Sequence, residues 1–281
     1  MTPPSLSAPT VFSLAAVFSW GTSDFLGGYA ARRANAFLLT AIAHLSGLVL
    51  MAAVALATHS PFPSRTAVAW ILLAGLSGGG ALAIFYRALA AGRMGLTAPV
   101  AAVLGAAIPT IFGIFREGLP QPAQVSGFIL AAVGIWLISR TEDDSSTEGI
   151  GMAALAGIGF AGFYLCVKQA GDSSAFWIAA VSKVASFALT GLIVLIGHST
   201  RAIDSRGIGF GVIAGSLDAI GSVLFIRASQ TGRLDAAVVL SSLYPAITVL
   251  LARIVLKEHF TRWKALGMLA ALLAVPMIAW R

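Results

Sequence analysis

Four ionisable side chains lie inside long apolar runs of this sequence: Asp24, His44, Lys183 and Asp218. An ionisable group within the hydrocarbon layer costs about 2.5–3.5 kcal/mol on insertion scales, so it usually faces a cavity or a partner. At about 1.5 Å of rise per residue, Asp24 and His44 reach a similar depth on oppositely directed runs. Lys183 and Asp218 also match in depth, nearer the other side. The spacing therefore predicts two acid–base pairs.

Each of these residues also has a purely structural interpretation. Lys183 and Asp218 could form a fixed ion pair that locks two helices, and Asp24 could orient backbone beside the adjacent glycines. His44 could be a neutral core residue, although its intrinsic pKa suits proton exchange. Removal of one partner of a buried ion pair is more harmful than removal of both. The sequence leaves these alternatives open.

An aromatic residue precedes Asp24 by four positions, so Trp20 and Asp24 share one helix face. Ring faces attract cations, and the small residues between the two allow a ligand or helix to approach. We therefore expect Asp24 to bind either a proton or a cationic group of a substrate. Other aromatics could line the same pocket or only fill helix interfaces. The candidate substrate-binding residues are Trp20, Asp24, His44, Tyr86, Tyr164, Lys183, Asp218 and Tyr244.

The composition is that of a membrane protein, with 58% hydrophobic and only 10% charged residues. Soluble domains carry about a quarter charged residues, and apolar runs of about 20 residues recur along the whole chain. The net charge of +7 does not indicate nucleic-acid binding, because the cations lie in short connections between apolar runs. The single cysteine, Cys166, excludes an intramolecular disulfide. We expect ten transmembrane helices and a lipid bilayer as environment.

An internal repeat with a constant offset organises these helices. It relates Gly75 to Gly215 and Arg87 to Arg227, a difference of 140 in residue number each time. The same offset recurs along the two segments that begin at Gly75 and at Gly215. Five spans per half is an odd number, so the copies have opposite orientations. The sequence thus predicts an all-α integral membrane protein of two inverted five-helix repeats, residues 9–139 and 150–280. Pro245 interrupts helix nine, whereas its counterpart in helix four is Leu104, with Pro99 and Pro109 nearby. We therefore expect helix four to bend at a different place from helix nine.

Three features resemble the EamA-type transporters of the drug/metabolite superfamily: Trp20-Gly21 in helix one, the two five-helix halves, and the run from Pro245 to Glu258. The resemblance implies alternating-access transport of amino acids, other metabolites or organic cations, by exchange or proton coupling. It also implies cytoplasmic termini. The basic residues of the connections favour the reverse orientation by the positive-inside count. Substrate, direction, coupling ion and orientation stay open.

Catalytic signatures are absent from the sequence: it has no metalloprotease, nucleophile-elbow or nucleotide-binding motif. We therefore predict a transporter rather than an enzyme, exporting or exchanging a small molecule. The alternatives are an integral-membrane enzyme that uses Asp24 and His44 as acid and base, and a membrane scaffold without transport. We expect no cofactor, no metal, no nucleic-acid partner and a monomer. The expected location is a multi-pass protein of the cell membrane, the inner membrane in a bacterium.

Overall fold

The computed structural model describes residues 7–91, 94–139, 149–197, 203–257 and 261–278, and the regular elements in these ranges are α-helices. The helices are α1 (Ala8–Ala31), α2 (Ala36–Ala57), α3 (Arg65–Ala91), α4 (Met94–Glu117), α5 (Pro122–Ser139), α6 (Ile150–Gln169), α7 (Ala175–Ile196), α8 (Ser205–Thr231), α9 (Leu234–Ser241), α10 (Tyr244–Leu256) and α11 (Arg262–Ile278).

Seven of these helical spans within the described ranges are long and apolar enough to cross a membrane, and Pro122–Leu137 is a shorter apolar helix. Large apolar side chains point outward from the bundle, as in Phe115, Leu195 and Leu272, which are more than two-thirds exposed. Such an exterior is stable only in contact with lipid, because a soluble surface of this kind would aggregate. The predicted all-α membrane class is therefore confirmed.

The ninth span, Leu234–Leu256, consists of two helices rather than the single one predicted. Helix α9 ends at Ser241 and α10 begins at Tyr244. Pro245 has no amide hydrogen, so the carbonyl of Ser241 cannot receive its usual helical hydrogen bond. The repeat-related α4 carries Leu104 at the equivalent position and stays one helix, although it contains Pro99 and Pro109. A proline inside a span is therefore not sufficient to divide it into two helices.

Helix starts follow local capping signals in the sequence. The Asn35 side chain accepts hydrogen bonds from the amides of Phe37 and Leu38, at 2.8 and 3.0 Å, and begins α2. Asp204 begins α8 in the same way through the Gly207 amide at 2.8 Å. These caps satisfy amides that have no partner within the helix. They set where each span enters the membrane.

Helix packing has the twofold pattern of the predicted repeat. Helix α1 packs on α8, and their counterparts α6 and α3 pack on each other. Helix α2 packs on both α7 and α8, while α7 also packs on α3; α5 packs on α11. Exchanging the halves therefore maps each contact onto another contact of the bundle. The core lies between the repeats, so neither half buries its apolar faces alone.

Two repeat-equivalent glycines, Gly75 and Gly215, allow the closest backbone approaches in this core. A Cβ on Gly75 would lie 2.0 Å from the Ser182 carbonyl oxygen, and one on Gly215 would lie 2.0 Å from the Ala43 oxygen. Ala43 and Ser182 also occupy related places in the two halves, 139 apart in number. Small residues permit close contact between helices, and here they do so at matching points of both repeats.

Candidate functional site

A cavity between the two repeats is lined by residues of five helices, and four of these helices contribute residues at positions i and i+4. Helix α1 presents Trp20 and Asp24, and α6 presents their repeat equivalents, Phe160 and Tyr164. Residues four apart lie on one helix face, so each pair forms a continuous strip of the wall. The remaining lining residues are Gly78 and Leu82 of α3, Asp218 and Ser222 of α8, Phe163 and Tyr244.

These eight paired residues are repeat equivalents of one another. Gly78 corresponds to Asp218 and Leu82 to Ser222, again with an offset of 140. The cavity therefore lies at the interface of the two halves. The residues at equivalent positions on its two sides differ chemically. Its volume is about 50 Å³. Since small-molecule pockets usually measure about 300–1,000 Å³, a metabolite-sized ligand requires the surrounding helices to separate.

Trp20 is held in the cavity wall by α8. Its indole Nε1 donates a hydrogen bond to the Asp218 carbonyl oxygen at 3.2 Å. Gly221 leaves room for the ring, because a Cβ there would lie 2.6 Å from the indole. The ring packs on Tyr164 at 6.0 Å between centroids. Ser19 and Ser23 on the same helix donate to α8 carbonyls, at 2.6 and 2.7 Å, and fix the rotation of α1.

The Asp24 carboxylate borders the cavity and is only 5% exposed. Within the described residues it has neither a hydrogen bond nor an ion pair. The titratable side chains that interact with it electrostatically come from three other helices and the broken span: Asp218, Tyr86, Tyr164 and Tyr244. A buried carboxylate beside aromatic faces is suited to bind a cation or a proton.

Lys183 and Asp218 form a buried ion pair, which confirms the contact predicted between helices seven and eight. The Lys183 side chain extends past Gly47 of α2, where a Cβ would lie 3.7 Å from the lysine Cε. The pair neutralises Asp218 on the cavity wall. It leaves Asp24 as the acidic residue of the cavity wall without an ion-pair partner among the described residues.

His44 is fully buried but does not line the cavity. Its Nε2 lies 3.4 Å from the Gly79 carbonyl oxygen, and its Nδ1 has no hydrogen-bond partner among the described residues. The charged group that acts on it is Lys183, and within the described part of the chain no hydrogen bond or ion pair joins it to Asp24. The predicted acid–base pair of Asp24 and His44 is therefore not formed. The two residues have similar depth, but the His44 imidazole points toward Gly79 of α3.

The three candidate tyrosines have different environments. Tyr164 and Tyr244 line the cavity, and the Tyr244 hydroxyl is buried without a hydrogen-bond partner in the described ranges. Tyr86 lies outside the cavity; its hydroxyl is 3.1 Å from the Ser23 hydroxyl and its ring covers Gly27. A Cβ on Gly27 would lie 2.0 Å from that ring. Tyr86 therefore packs α3 against α1.

Sequence reasoning did not select four residues that line the cavity: Gly78, Leu82, Phe163 and Ser222. The repeat offset would have found one of them, because subtraction of 140 from Asp218 leads to Gly78. Leu82 and Ser222 are repeat equivalents of each other, so the offset finds neither from a predicted residue. Phe163 carries no such signal. No group of three or more His, Cys, Asp or Glu side chains in the described ranges is arranged for a metal ion.

Similarity to known proteins extends over the whole chain. The model of the EamA-like transporter family matches residues 9–140 and again residues 147–280. A solved crystal structure with 18% sequence identity superposes with a TM-score of 0.76, covering 97% of this chain and 96% of the other. At that identity the likeness shows the fold alone. Comparison with curated protein sequences found no match.

Proposed function

The chain belongs to the EamA-like transporter family, and on that premise we propose that it is a secondary active transporter. It exports or exchanges a small polar metabolite, an amino acid or an organic cation by alternating access. We further propose that each family match corresponds to one five-helix repeat, and that the protein acts as a monomer. Its place is the cell membrane, the inner membrane in a bacterium.

One observation carries this proposal: repeat-equivalent residues face each other across a single cavity between the halves. Inverted-repeat transporters hold their substrate near the interface of the repeats and rock one half against the other. The small volume, about 50 Å³, fits a state in which neither side is widely open. Opening toward one side and then the other would enlarge it for a substrate.

Asp24 is the proposed binding group for a cation or a proton. Lys183 is already paired with Asp218, so the pair adds no net charge to the cavity. The Asp24 carboxyl group has no ion-pair partner among the described residues and lies four residues from Trp20. Proton and cation then compete for one carboxylate, which couples transport to pH. Trp20, Tyr164 and Tyr244 contribute ring surface; His44, Lys183 and Tyr86 act from outside the direct lining.

The test is counterflow and pH-driven flux in proteoliposomes that contain purified protein. A panel of amino acids and organic cations is offered, and the pH response is compared between wild type and Asp24→Asn. We expect the variant to fold but to lose the dependence of flux on the pH gradient. Tyr29→Phe, which removes a hydroxyl on the same helix outside the cavity, is the matched control and should keep this dependence.

Two results would contradict the proposal at different levels. Full pH response in Asp24→Asn would show that Asp24 is a packing residue, and the coupling group would then be sought around Lys183. Flux no greater than that of protein-free liposomes for every compound in the panel would count against transport of these substrate classes.

A further inference from the structure

A polar cluster joins the two repeats at the face of the bundle where α1 begins and α11 ends, the N-terminal face. The Glu117 cluster consists of Glu117, Lys168, Arg233 and Asp235. Lys168 Nζ lies 3.1 Å from the Glu117 carboxylate, and Arg233 binds Asp235 at 2.7 Å. Arg233 also donates to the carbonyl oxygens of Glu117 and Gly118, at 3.2 and 2.7 Å.

The bonds of the Glu117 cluster cross between the halves of the molecule. Glu117 ends α4 in the first repeat, whereas its partners belong to the second repeat. The Glu117 carboxylate accepts a hydrogen bond from the Leu234 amide at 3.1 Å and so caps the start of α9. Lys168 also donates to the Ser229 carbonyl oxygen at 3.3 Å. The cluster thus ties the ends of α4, α6 and α8 to the start of the broken span.

The repeat-equivalent contact at the opposite face has different chemistry. Lys168 corresponds to Gly28, and Ser229 corresponds to Leu89, with the offset of 140. A Cβ on Gly28 would lie 2.7 Å from the Leu89 Cβ and 2.9 Å from the Met94 Cε. Helix α1 therefore packs directly on α3 and α4 there. Among the described residues, the Lys168–Ser229 contact is therefore polar, whereas its repeat equivalent, Gly28 on Leu89, is apolar and close.

Two cavities flank the Glu117 cluster. One, of about 260 Å³, is lined by Glu117, Lys168 and Leu234 among others. The other, of about 190 Å³, is lined by Arg233 and by Ser13, whose buried hydroxyl has no hydrogen-bond partner in the described ranges. The cluster therefore borders one cavity through Glu117 and Lys168 and another through Arg233. Its ion pair is also part-exposed, with 35% of the Lys168 side chain and 22% of the Glu117 side chain accessible.

From these contacts we propose that the Glu117 cluster is the gate of the N-terminal face. It closes the path to the central cavity and opens by separation of the Glu117–Lys168 and Glu117–Leu234 bonds. The apolar junction of Gly28, Leu89 and Met94 closes the opposite face at the same time. This gate rests on the proposed transport function, because it controls one of the two openings that alternating access requires.

Water can replace the bonds of the polar gate as it opens, whereas separation of the apolar junction exposes hydrocarbon surface. The hydrogen bonds with Asp235 raise the pKa of Arg233, so this guanidinium stays charged and the gate is not released by its deprotonation.

Thiol labelling tests the gate without a known substrate. The native Cys166 is replaced by serine, and Ser222→Cys places a thiol on the wall of the central cavity. Leu119→Cys, in the exposed loop after α4, and Ser205→Cys, exposed at the start of α8, report the N-terminal and the opposite face of sealed vesicles. A membrane-impermeant methanethiosulfonate is added from one side.

We expect Glu117→Gln to raise the labelling rate of Ser222→Cys from the N-terminal face roughly fivefold or more, since the rate follows the open population. Lys168→Gln should act in the same direction and serves as the second variant. The matched control is Arg116→Gln, because Arg116 lines the same 260 Å³ cavity but contacts the Phe112 ring instead of the cluster. It should label at the parent rate.

Equal labelling rates in Glu117→Gln, Lys168→Gln and the control would overturn the gate, as would an increase seen only from the opposite face. Size-exclusion profiles establish that each variant is folded. The readout needs no transported compound. A negative transport assay with faster N-terminal-face labelling would therefore leave the gate standing and reject the transport proposal instead.

Discussion

At the level of single residues, the cavity contains two carboxylates in contrasting states. Asp218 is paired with Lys183, whereas Asp24 has no bonded partner among the described residues. The two acids also interact with each other electrostatically. Lys183 therefore compensates the charge of one of the two acidic residues. Loss of Lys183 would leave both acidic residues of the cavity without an ion-pair partner among the described residues.

The ion pair leads to a prediction for a double-mutant cycle. Lys183→Met should lower the free energy of unfolding by about 3–5 kcal/mol, because it leaves a buried charge uncompensated. Lys183→Met combined with Asp218→Asn should recover part of that loss, with a coupling of about 0.5–3 kcal/mol. Thermal unfolding of the solubilised proteins measures both. Strictly additive losses would mean that the pair does not stabilise the fold.

Among the helices, close packing at glycine sets the positions of the lining residues. Gly215 brings α8 against α2, and Gly221 on the same helix receives the Trp20 ring. The ninth span adds Tyr244 at the start of α10, where the break allows the side chain to reach the cavity. Displacement of α8 would thus move both Asp218 and the wall that holds Trp20.

We predict that Gly215→Ala destabilises the protein by about 1–3 kcal/mol, since an added methyl group in a packed contact forces backbone shifts. The Cβ would lie 2.0 Å from the Ala43 carbonyl oxygen. Gly209→Ala, on the same helix with nothing within 4 Å of its Cβ, is the control and should be neutral or slightly stabilising. Melting temperatures of the two variants in detergent test this prediction. Equal melting temperatures would show that α8 can shift to accommodate the added methyl group.

In the molecule as a whole, the two halves are equivalent in fold and different in chemistry. Helix contacts map onto one another when the halves are exchanged, but Asp24 has Tyr164 as its repeat equivalent and Gly78 has Asp218. The repeat-equivalent positions of the cavity wall therefore carry different side chains in the two halves.

A cation bound at the centre should stabilise the entire fold, because it contacts both repeats. We predict that benzyltrimethylammonium raises the melting temperature of the wild-type protein by a few degrees. Saturation at 100 times the dissociation constant corresponds to about 2.7 kcal/mol. Asp24→Asn should show no increase, and equimolar sodium chloride controls for ionic strength. An equal shift in the variant would mean that this cation binds elsewhere.

The class, the helices and the repeat could all be predicted from the sequence without a structure. Apolar runs long enough to cross a bilayer define spans locally, and the constant offset between Gly75 and Gly215 relates the halves without any three-dimensional information. The same reasoning located Asp24 and the Lys183–Asp218 contact, because a charge in hydrocarbon restricts the possible partners. Depth along a helix follows from residue count alone.

The direction of each buried side chain, by contrast, depends on tertiary packing. His44 has the depth of Asp24 but faces the Gly79 carbonyl, and Tyr86 covers Gly27 instead of lining the cavity. Successive residues of a helix point about 100° apart, so their direction depends on how the helix is rotated against its neighbours. That rotation is fixed by contacts such as Gly215 on Ala43, between residues far apart in the chain.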